Sequence, residues 1–413
     1  MKERNFKLEE KNPFGDASGT TLGGAFLIAG TTIGAGMLAL PIATGSAGFV
    51  PGTLVVIACW FALMLTGLLF VESTLHLPDG ANVLSITKYF LGRPGEIVAG
   101  ITYLFLYYCL MVAYISGGTL IFQQFLAPYF EADYPLASTL FCGLFALLVF
   151  LGSHVVDRTN LILMAGLIFA YLLLLGGGVP AIHIEHFMHS NWKTAIFAAP
   201  ILFSAFGFHN IIPTLSTYLH RNPKRLRNAV MIGTILPLMI FLLWQWLIIG
   251  LIPYEKLPLL QKQGIPIGEL LSSVTNNSWI AVFGNFFAFF AIITSLLGVS
   301  LSMVDFIGDG IGWTRLGWHR LILVILVFLP PGLIAAGEPS HFLIALGIAG
   351  GLGEAIINGI IPIVLVWRAR YHYGLKSYRQ VSGGRTALVL LTLFIFSIMI
   401  IEGIILVNAY VIS

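Results

Sequence analysis

Residues 23–41 read GGAFLIAGTTIGAGMLALP, and this stretch decides the fold. It is apolar enough to lie in a bilayer, yet Gly30, Gly34 and Gly36 stand at its centre. Glycine is the poorest helix former after proline, so its clustering at mid-depth needs an explanation. Three compete: the glycines form a helix-dimerisation face, they form a nucleotide-type phosphate loop, or they mark the point at which a membrane helix breaks.

The composition of the chain is that of an integral membrane protein. Of its 413 residues, 58% are hydrophobic and only 9% are charged, whereas soluble domains carry about 25% charged residues. Apolar stretches of about 18 residues or more predict transmembrane helices. Eleven spans are predicted, at about residues 20–46, 48–73, 95–126, 136–153, 157–179, 194–218, 227–252, 278–306, 319–337, 340–367 and 386–411.

The positive charges predict the orientation of these spans. All lysines and arginines except Lys193, Lys256 and Lys262 fall in segments that are cytoplasmic if the N-terminus lies inside. Such a bias sets membrane orientation, so we expect a cytoplasmic N-terminus and a periplasmic C-terminus. The same bias explains basic clusters such as HRNPKRLR, and no nucleic acid partner is expected. Residues 1–18 mix both signs of charge and are interpreted as a cytoplasmic N-terminal tail, not a signal peptide.

A second interrupted stretch favours the broken helix among the three explanations. The spacing Gly30-xxx-Gly34 fits a dimerisation face, but a phosphate loop would need a following lysine and a preceding strand, and both are missing. Residues 199–213 read APILFSAFGFHNIIP. In this stretch two prolines remove backbone donors, and Gly207 loosens the helix interior.

The two interruptions lie five spans apart, which predicts an inverted repeat. Because five is odd, the second set of spans crosses the membrane upside down relative to the first. The predicted fold is an all-α membrane protein of 11 transmembrane helices, a 5+5 inverted repeat with broken helices 1 and 6 and an extra C-terminal helix. Within a transmembrane transporter domain at 19–413, repeat one covers about 20–179, repeat two about 194–367 and the extra helix about 386–411. Paired interruptions of this kind mark the binding sites of secondary transporters.

The broken backbone also predicts the class of substrate. Unwound backbone cannot face lipid, because its amides and carbonyls would lack partners, so it must line a polar cavity. The half-helix that begins near Gly34 and Gly36 directs amides and the positive end of its dipole at that cavity, which favours a carboxylate. Carbonyls freed at other half-helix ends accept hydrogen bonds from an ammonium group. An amino acid is therefore the expected substrate, with no chemical catalysis, no organic cofactor and no metal.

Four motifs resemble those of a known family. The stretches AGTTIGAGMLALP, SAFGFHNIIP, SLLGVSLSMVDFIGDG and GGRTALV are similar to the bacterial hydroxy- and aromatic-amino-acid permeases, of the tyrosine-specific type, within the amino acid-polyamine-organocation superfamily. The resemblance covers nearly the whole chain. It implies proton symport of tyrosine, or of tryptophan, into the cell by alternating access across the bacterial cytoplasmic membrane. Sodium coupling or another neutral amino acid is the alternative, and nothing indicates an oligomeric state.

One departure from the family pattern leaves the coupling ion open. Related proton-driven transporters often carry a lysine midway along span five, but this chain reads LILMAGLIFAY at 161–171. Either another group carries the proton or the coupling ion differs. The candidates for ion coupling are His209, Glu354 and Ser295.

The resemblance also implies the residues that bind the substrate. The first break would cradle its carboxylate and amine through Gly30, Thr31, Thr32, Gly34, Ala35 and Gly36. The opposite wall would consist of Ser204, Phe206, Gly207, Phe208 and His209, with the two phenylalanines shaping a pocket for a ring. Tyr107 and Tyr108 of span three would lie near the carboxylate; adjacent helical residues point about 100° apart, so one of them is expected to face the cavity.

Ionisable groups inside spans are costly and suggest a function. His209 could line the site, carry a proton, or cap freed carbonyls. Glu354 could carry the proton, or be satisfied by Asn358 one helical turn away. Glu402, in span eleven, lies outside the repeats and is expected to be structural.

Two other classes of membrane protein, an intramembrane enzyme and a channel, do not fit the sequence. An intramembrane serine protease needs a serine in a glycine-flanked motif with a partner histidine, and SGG at 116–118 lacks the leading glycine. A metalloprotease needs His-Glu-x-x-His, and HIEHFMH at 183–189 has the wrong spacing. A channel would show a repeated filter segment or a ring of like charge. The sequence therefore favours a transporter, with the amino acid, the coupling ion and the lipid bilayer as its partners.

Overall fold

The computed structural model describes residues 19–257, 271, 278–375 and 377–412. The predicted N-terminal tail, residues 1–18, lies outside the described residues. The described part is helical and contains no strand. The helices are α1a (Thr21–Thr32), α1b (Gly36–Gly45), α2 (Phe49–Thr74), α3 (Val83–Leu126), α4 (Tyr134–Leu151), α5 (Ser153–Gly178), α6a (Ala199–Ala205), α6b (Ile212–Tyr218), α7 (Pro223–Leu251), α8 (Ser278–Ile311), α9 (Gly317–Ala335), α10 (His341–His372) and α11 (Gly384–Ile412).

The predicted number of spans is confirmed. Ten helical segments in the described residues are long and apolar enough to cross a membrane, and the bent pair α1a and α1b makes an eleventh. Each corresponds to one predicted span. The largest difference is at α3, which begins at Val83 rather than near residue 95, because a helical segment precedes a kink at Gly92, where φ is 74°.

Both predicted helix breaks are present. The axes of α1a and α1b differ by 61° across residues 33–35. In span six, α6a ends at Ala205, Phe206 and Phe208 have non-helical backbone angles, and a short 3-10 turn over His209–Ile211 precedes α6b. Gly34 and Gly207 lie within the interruptions, Gly36 and Pro213 lie in the first turns of α1b and α6b, and Gly30 and Pro200 lie within α1a and α6a.

The packing of the helices follows the order expected of an inverted repeat. Helix α1a packs on α7 as α6a and α6b pack on α2, and α3 packs on α10 as α8 packs on α5. Helices α1b and α6a contact each other, as do α2 and α7, α3 and α8, and α4 and α9. When each of the ten spans is replaced by the one five places away, the α1–α7 pair becomes the α6–α2 pair, and the α3–α10 pair becomes the α8–α5 pair. The pairs α1–α6, α2–α7, α3–α8 and α4–α9 stay the same. Helix α11 stands outside this scheme and packs on α10 and α6a.

A π-helical segment in α10 brings two polar side chains to the centre of the molecule. Residues Ala349–Ile360 are wound as a π-helix, a form that is rare and frequent at functional sites. Gly350 lies against α6a so closely that a Cβ there would be 2.7 Å from the Ser204 nitrogen. This close approach carries Glu354 and Asn358 toward the second break.

Candidate functional site

The two breaks enclose a polar cavity of about 100 Å³ at the junction of α1, α3, α6, α8 and α10. Its walls are Thr31, Thr32, Gly34, Ala35, Gly36, Tyr103, Leu106, Tyr107, Leu110, Tyr114, Ser204, Ala205, Gly207, Asn210, Ser295, Val299, Glu354 and Asn358. Backbone, hydroxyl, amide and carboxyl groups thus converge on one small space.

A second cavity, of about 240 Å³, adjoins the first and extends between α1a, α5 and α8. It shares Thr31, Tyr107, Tyr114, Asn210, Ser295 and Val299 with the first cavity. Its further walls are Gly30, Ile33, Asn160, Met164, Thr294, Gly298 and Ser302. The two cavities therefore lie side by side at the first break.

At the first break, α8 and α6a approach the backbone directly. The Ala35 N–H donates to the Ser295 hydroxyl at 3.0 Å, and that hydroxyl donates to the Ala291 carbonyl at 3.1 Å. A Cβ on Gly34 would collide with the Ser295 hydroxyl, and one on Gly36 would lie 2.7 Å from the Ala205 Cα. Gly34 and Gly36 are therefore required by close packing within the chain, which accounts for them without a dimerisation face.

Gly30, Thr31 and Thr32 precede the first break, at the end of α1a. Gly30 has open space where a Cβ would stand. The Thr31 and Thr32 hydroxyls both donate to the Ile28 carbonyl, at 2.8 and 2.9 Å. No backbone acceptor for the Gly34 N–H is found in the described residues, so this amide is available to a ligand at the start of α1b.

The tyrosines of α3 divide between the cavity and the surrounding helices. Tyr107 lines both cavities, and its ring lies 4.7 Å from that of Tyr103 in an edge-to-face arrangement. Phe306 stacks on Tyr103 at 5.5 Å. Tyr108 instead donates from its hydroxyl to the Leu326 carbonyl of α9 at 2.9 Å, and it lines neither cavity. The expectation that one of the adjacent pair faces the cavity thus corresponds to Tyr107.

The second break exposes fewer of its predicted residues to the cavity. Ser204 and Gly207 line it. Phe206 is 2% exposed and packs on Phe241 at a centroid distance of 5.1 Å. Phe208 is 1% exposed and fills the space beside Gly67 of α2. Neither phenylalanine lines either cavity.

His209 also lies behind the second break. It is buried, and its Nε2 lies 3.1 Å from the Thr66 hydroxyl of α2. Its Nδ1 has no hydrogen-bond partner in the part of the chain that the structure describes. His209 lines neither cavity, so its position fits a contact between α6 and α2 more directly than a contact with substrate.

Glu354 occupies the second break from a different helix. Its side chain is buried, and Asn358 donates from Nδ2 to its Oε2, as the helical spacing suggests. A Cβ on Gly207 would lie 2.5 Å from Glu354 Oε1. Because Gly207 has no side chain, the Glu354 carboxyl can lie against the unwound part of span six.

Four polar residues of the two cavities were not predicted from the sequence, namely Tyr103, Asn160, Asn210 and Ser302. Asn210 lines both cavities and directly follows His209 in the second break. Tyr103 lies one helical turn before Tyr107. The position of Asn210 inside the break and the i, i+4 spacing of the tyrosines are signals that could have found these two residues. In the described residues, no three His, Cys, Asp or Glu side chains are grouped as metal ligands.

Comparison with known proteins assigns the chain to a transporter family. The model of the tryptophan/tyrosine permease family matches residues 18–402. A tryptophan-specific transport protein of Haemophilus influenzae is 32% identical over 91% of this chain and 92% of its own length. Two tyrosine-specific transport systems of the same organism are similar as well. System 2 is 34% identical over 92% of this chain and 95% of its own length, and system 1 is 31% identical over 90% and 94%.

Proposed function

The chain belongs to the tryptophan/tyrosine permease family, and we propose that it imports an aromatic amino acid, tyrosine in the first place and tryptophan in the second, by proton symport. It performs no chemical conversion. It lies in the bacterial cytoplasmic membrane with its N-terminus in the cytoplasm and its C-terminus in the periplasm, as the distribution of lysine and arginine predicts.

The observation that carries the proposal is the convergence of both breaks and Glu354 on one cavity. The substrate carboxylate lies at the start of α1b, where the Gly34 amide is free and the helix dipole is positive. The substrate ammonium lies toward Glu354 and the carbonyls released where α6a ends. This arrangement satisfies both charges of a zwitterion in a medium that offers no other partner.

The aromatic ring extends from this point into the adjoining cavity. Tyr107 and Tyr114 belong to both cavities, and Val299 provides an apolar wall between them. Ring pairs prefer edge-to-face or offset packing, which these tyrosine faces permit. The phenylalanines of the second break are buried against α7 and α2, so the proposed ring pocket is formed by α3 and α8 instead.

Glu354 is the favoured proton carrier. It is the only carboxyl among the described residues that line either cavity, and an ionisable side chain inside a membrane span is a functional candidate. His209 remains a weaker candidate, because it faces Thr66 and not the cavity. Ser295 supports the alternative of sodium coupling, since its hydroxyl oxygen lies at the first break.

Transport proceeds by alternating access in this proposal. Helices α1, α2, α6 and α7 form a bundle that rocks against α3, α4, α8 and α9, with the cavity at their interface. On α1a, Leu22 and Phe26 are 55% and 59% exposed while Ala25 and Ile28 are buried. One face of α1a is therefore not packed within the protein, which leaves it room to move against the scaffold.

Uptake into proteoliposomes under separately imposed gradients tests the proposal. Labelled tyrosine and tryptophan are supplied with either an inward proton gradient or an inward sodium gradient. We expect saturable accumulation that depends on the proton gradient. A lack of accumulation of both amino acids would overturn the substrate assignment, whereas dependence on sodium alone would overturn only the coupling ion.

The role of Glu354 is tested by Glu354→Gln, with Glu338→Gln in the α9–α10 loop as the matched control. If Glu354 carries the proton, the variant loses gradient-driven accumulation but keeps exchange of internal for external substrate. If Glu354 only holds the ammonium, exchange is lost together with accumulation. Full proton-driven accumulation by Glu354→Gln would exclude it as the carrier.

A further inference from the structure

Glu402 of α11 is a buried carboxyl that lies outside the proposed transport site. It is 2% exposed. Among the described residues, neither a hydrogen bond nor an ion pair involves its side chain, in contrast to Glu354, which accepts from Asn358. A buried charge without a partner is costly, and a carboxyl inside a membrane span marks a functional site by default.

The helix beside Glu402 is shaped to accept it. Gly347 and Gly351 of α10 face the side chain, and a Cβ on Gly351 would lie 2.7 Å from Glu402 Cγ. A Cβ on Gly347 would lie 3.1 Å from Glu402 Oε1. The two glycines let α11 approach α10 closely, so the carboxyl is enclosed on that side.

On its other side Glu402 lines a cavity of about 320 Å³ between α1b, the start of span six, α10 and α11. Ser46 and Thr194 supply hydroxyls, and the remaining walls are apolar. These walls are Ile42, Ala43, Phe197, Ile201, Leu343, Ile344, Gly347, Ile405, Leu406 and Ala409. The volume lies at the lower end of the range that holds small molecules, about 300–1,000 Å³.

This cavity is separate from the proposed transport site. It shares no lining residue with either of the cavities at the breaks. It also lacks the features that would hold a zwitterion. Among its lining residues Glu402 is the charged one, so the carboxylate of an amino acid would meet repulsion there.

We propose that this cavity is a second binding site, and that its ligand is a primary ammonium group on a short aromatic body, an arylalkylamine. The ammonium group pairs with the Glu402 carboxylate and offsets part of the cost of burying that charge. The aromatic body fills the apolar space beside Phe197 and Leu406. A single cationic group matches the single carboxyl of the cavity.

The position of the cavity predicts an effect on transport, and this step rests on the proposed function. Its walls join α1b and the start of span six, which belong to the moving bundle, to α10 and α11. A ligand that fills the space opposes relative movement of these helices. We therefore expect it to slow uptake without competing with the substrate.

Binding of labelled tryptamine to the purified full-length protein in lipid nanodiscs tests the site. We expect saturable binding that excess tyrosine or tryptophan does not displace. Glu402→Gln should weaken this binding at least about tenfold, as expected when one partner of a buried charge pair is removed. Displacement by the amino acids, or equal binding to Glu402→Gln, would overturn the proposal.

A second test keeps the Glu402 carboxyl and changes the volume of the cavity. Leu406→Trp fills the cavity, whereas Val407→Trp adds the same bulk at the neighbouring position, which is 62% exposed. We expect tryptamine binding to be lost in the first variant and retained in the second. Retention by both variants would place the amine elsewhere and would overturn the proposal.

Uptake assays then separate this proposal from the proposed function. Tryptamine should lower the maximal rate of uptake and leave KM unchanged in the wild type, with little effect in Leu406→Trp. A rise in KM alone would show competition at the transport site and would overturn the second site. If no aromatic amino acid is taken up at all, the proposed function fails, while the binding measurements still decide whether the second site exists.

Discussion

The two helix breaks occupy corresponding places in the two halves of the chain but present different groups to the cavity. In the first break the backbone of Gly34, Ala35 and Gly36 forms the wall. In the second, Phe206, Phe208 and His209 point away into the surrounding helices, and Ser204, Gly207 and Asn210 face the cavity.

The difference lies in how each break is held in place. The first is held from outside, by the Ser295 hydroxyl on the Ala35 amide, which leaves neighbouring backbone groups free for a ligand. The second is held by its own bulky side chains, through ring packing of Phe206 on Phe241 and the pairing of His209 with Thr66. Substitutions in the first break should therefore alter binding, and most substitutions in the second should alter stability.

The largest effect is expected for Gly34→Leu in the first break. The new side chain would collide with the Ser295 hydroxyl and displace the backbone that faces the cavity. Uptake should fall to background in proteoliposomes while the protein still inserts and elutes as a single species. Gly176→Leu in α5 is the matched control, because a Cβ there enters open space and Gly176 lines neither cavity, and it should transport normally. Near-normal uptake by Gly34→Leu would contradict the view that the first break, unlike the second, binds the substrate.

Gly207→Ala tests the contact between the second break and the Glu354 carboxyl. Its Cβ would stand 2.5 Å from Glu354 Oε1, so the carboxyl must move. We expect proton-driven uptake to fall at least about tenfold, the scale of disturbing a buried charged contact. Combining it with Glu354→Asp, whose shorter side chain gives room, should restore part of the rate. Additive losses in the double variant would show that the two residues act independently.

A smaller effect is expected from the adjacent tyrosines of α3. Tyr107→Phe removes a hydroxyl at the cavity and should raise KM about two- to tenfold, the equivalent of one hydrogen bond. Tyr108→Phe removes only the bond to the Leu326 carbonyl, so KM should stay unchanged while thermal stability falls slightly. Initial rates over a range of substrate concentrations distinguish the two. Equal KM values in the two variants would contradict the placement of Tyr107 in the substrate pathway.

The smallest effect on transport is expected for Thr66→Val. This variant removes the hydroxyl that pairs with His209 and leaves a buried ring nitrogen without a partner, at a cost of about 1–3 kcal/mol of stability. The melting temperature in detergent should fall, whereas KM and proton dependence should not change. Loss of proton-driven uptake at unchanged stability would instead restore His209 as a candidate for the proton.

Several features of the molecule could be predicted from single residues and their spacing. The number of spans follows from the length of apolar stretches, since a helix must be about 20 residues long to cross a bilayer. The breaks follow from glycine and proline in residues 30–36 and 200–213, because these residues weaken or remove helical hydrogen bonds. The pairing of Glu354 with Asn358 follows from their i, i+4 spacing.

The direction in which each side chain points could not be predicted in the same way. In a soluble helix the apolar stripe shows which face is buried, but in a membrane both the lipid-facing and the buried faces are apolar. The sequence therefore offered no reason to separate Phe206 and Phe208 from the cavity, or to place Tyr108 against α9. It also did not show that Glu402 lines a cavity, since that depends on the glycine face of a different helix.

By itself the sequence determined the spans, the two breaks and their inverted relation, because each depends on local backbone chemistry and on counting along the chain. Only the tertiary structure decided which groups meet at the breaks. Glu354 reaches span six from α10, and Ser295 reaches span one from α8, across 147 and 260 positions of sequence respectively. Such contacts depend on how closely two helices approach, and that distance is set by small residues such as Gly34, Gly207 and Gly350 acting against partners that lie far away in the chain.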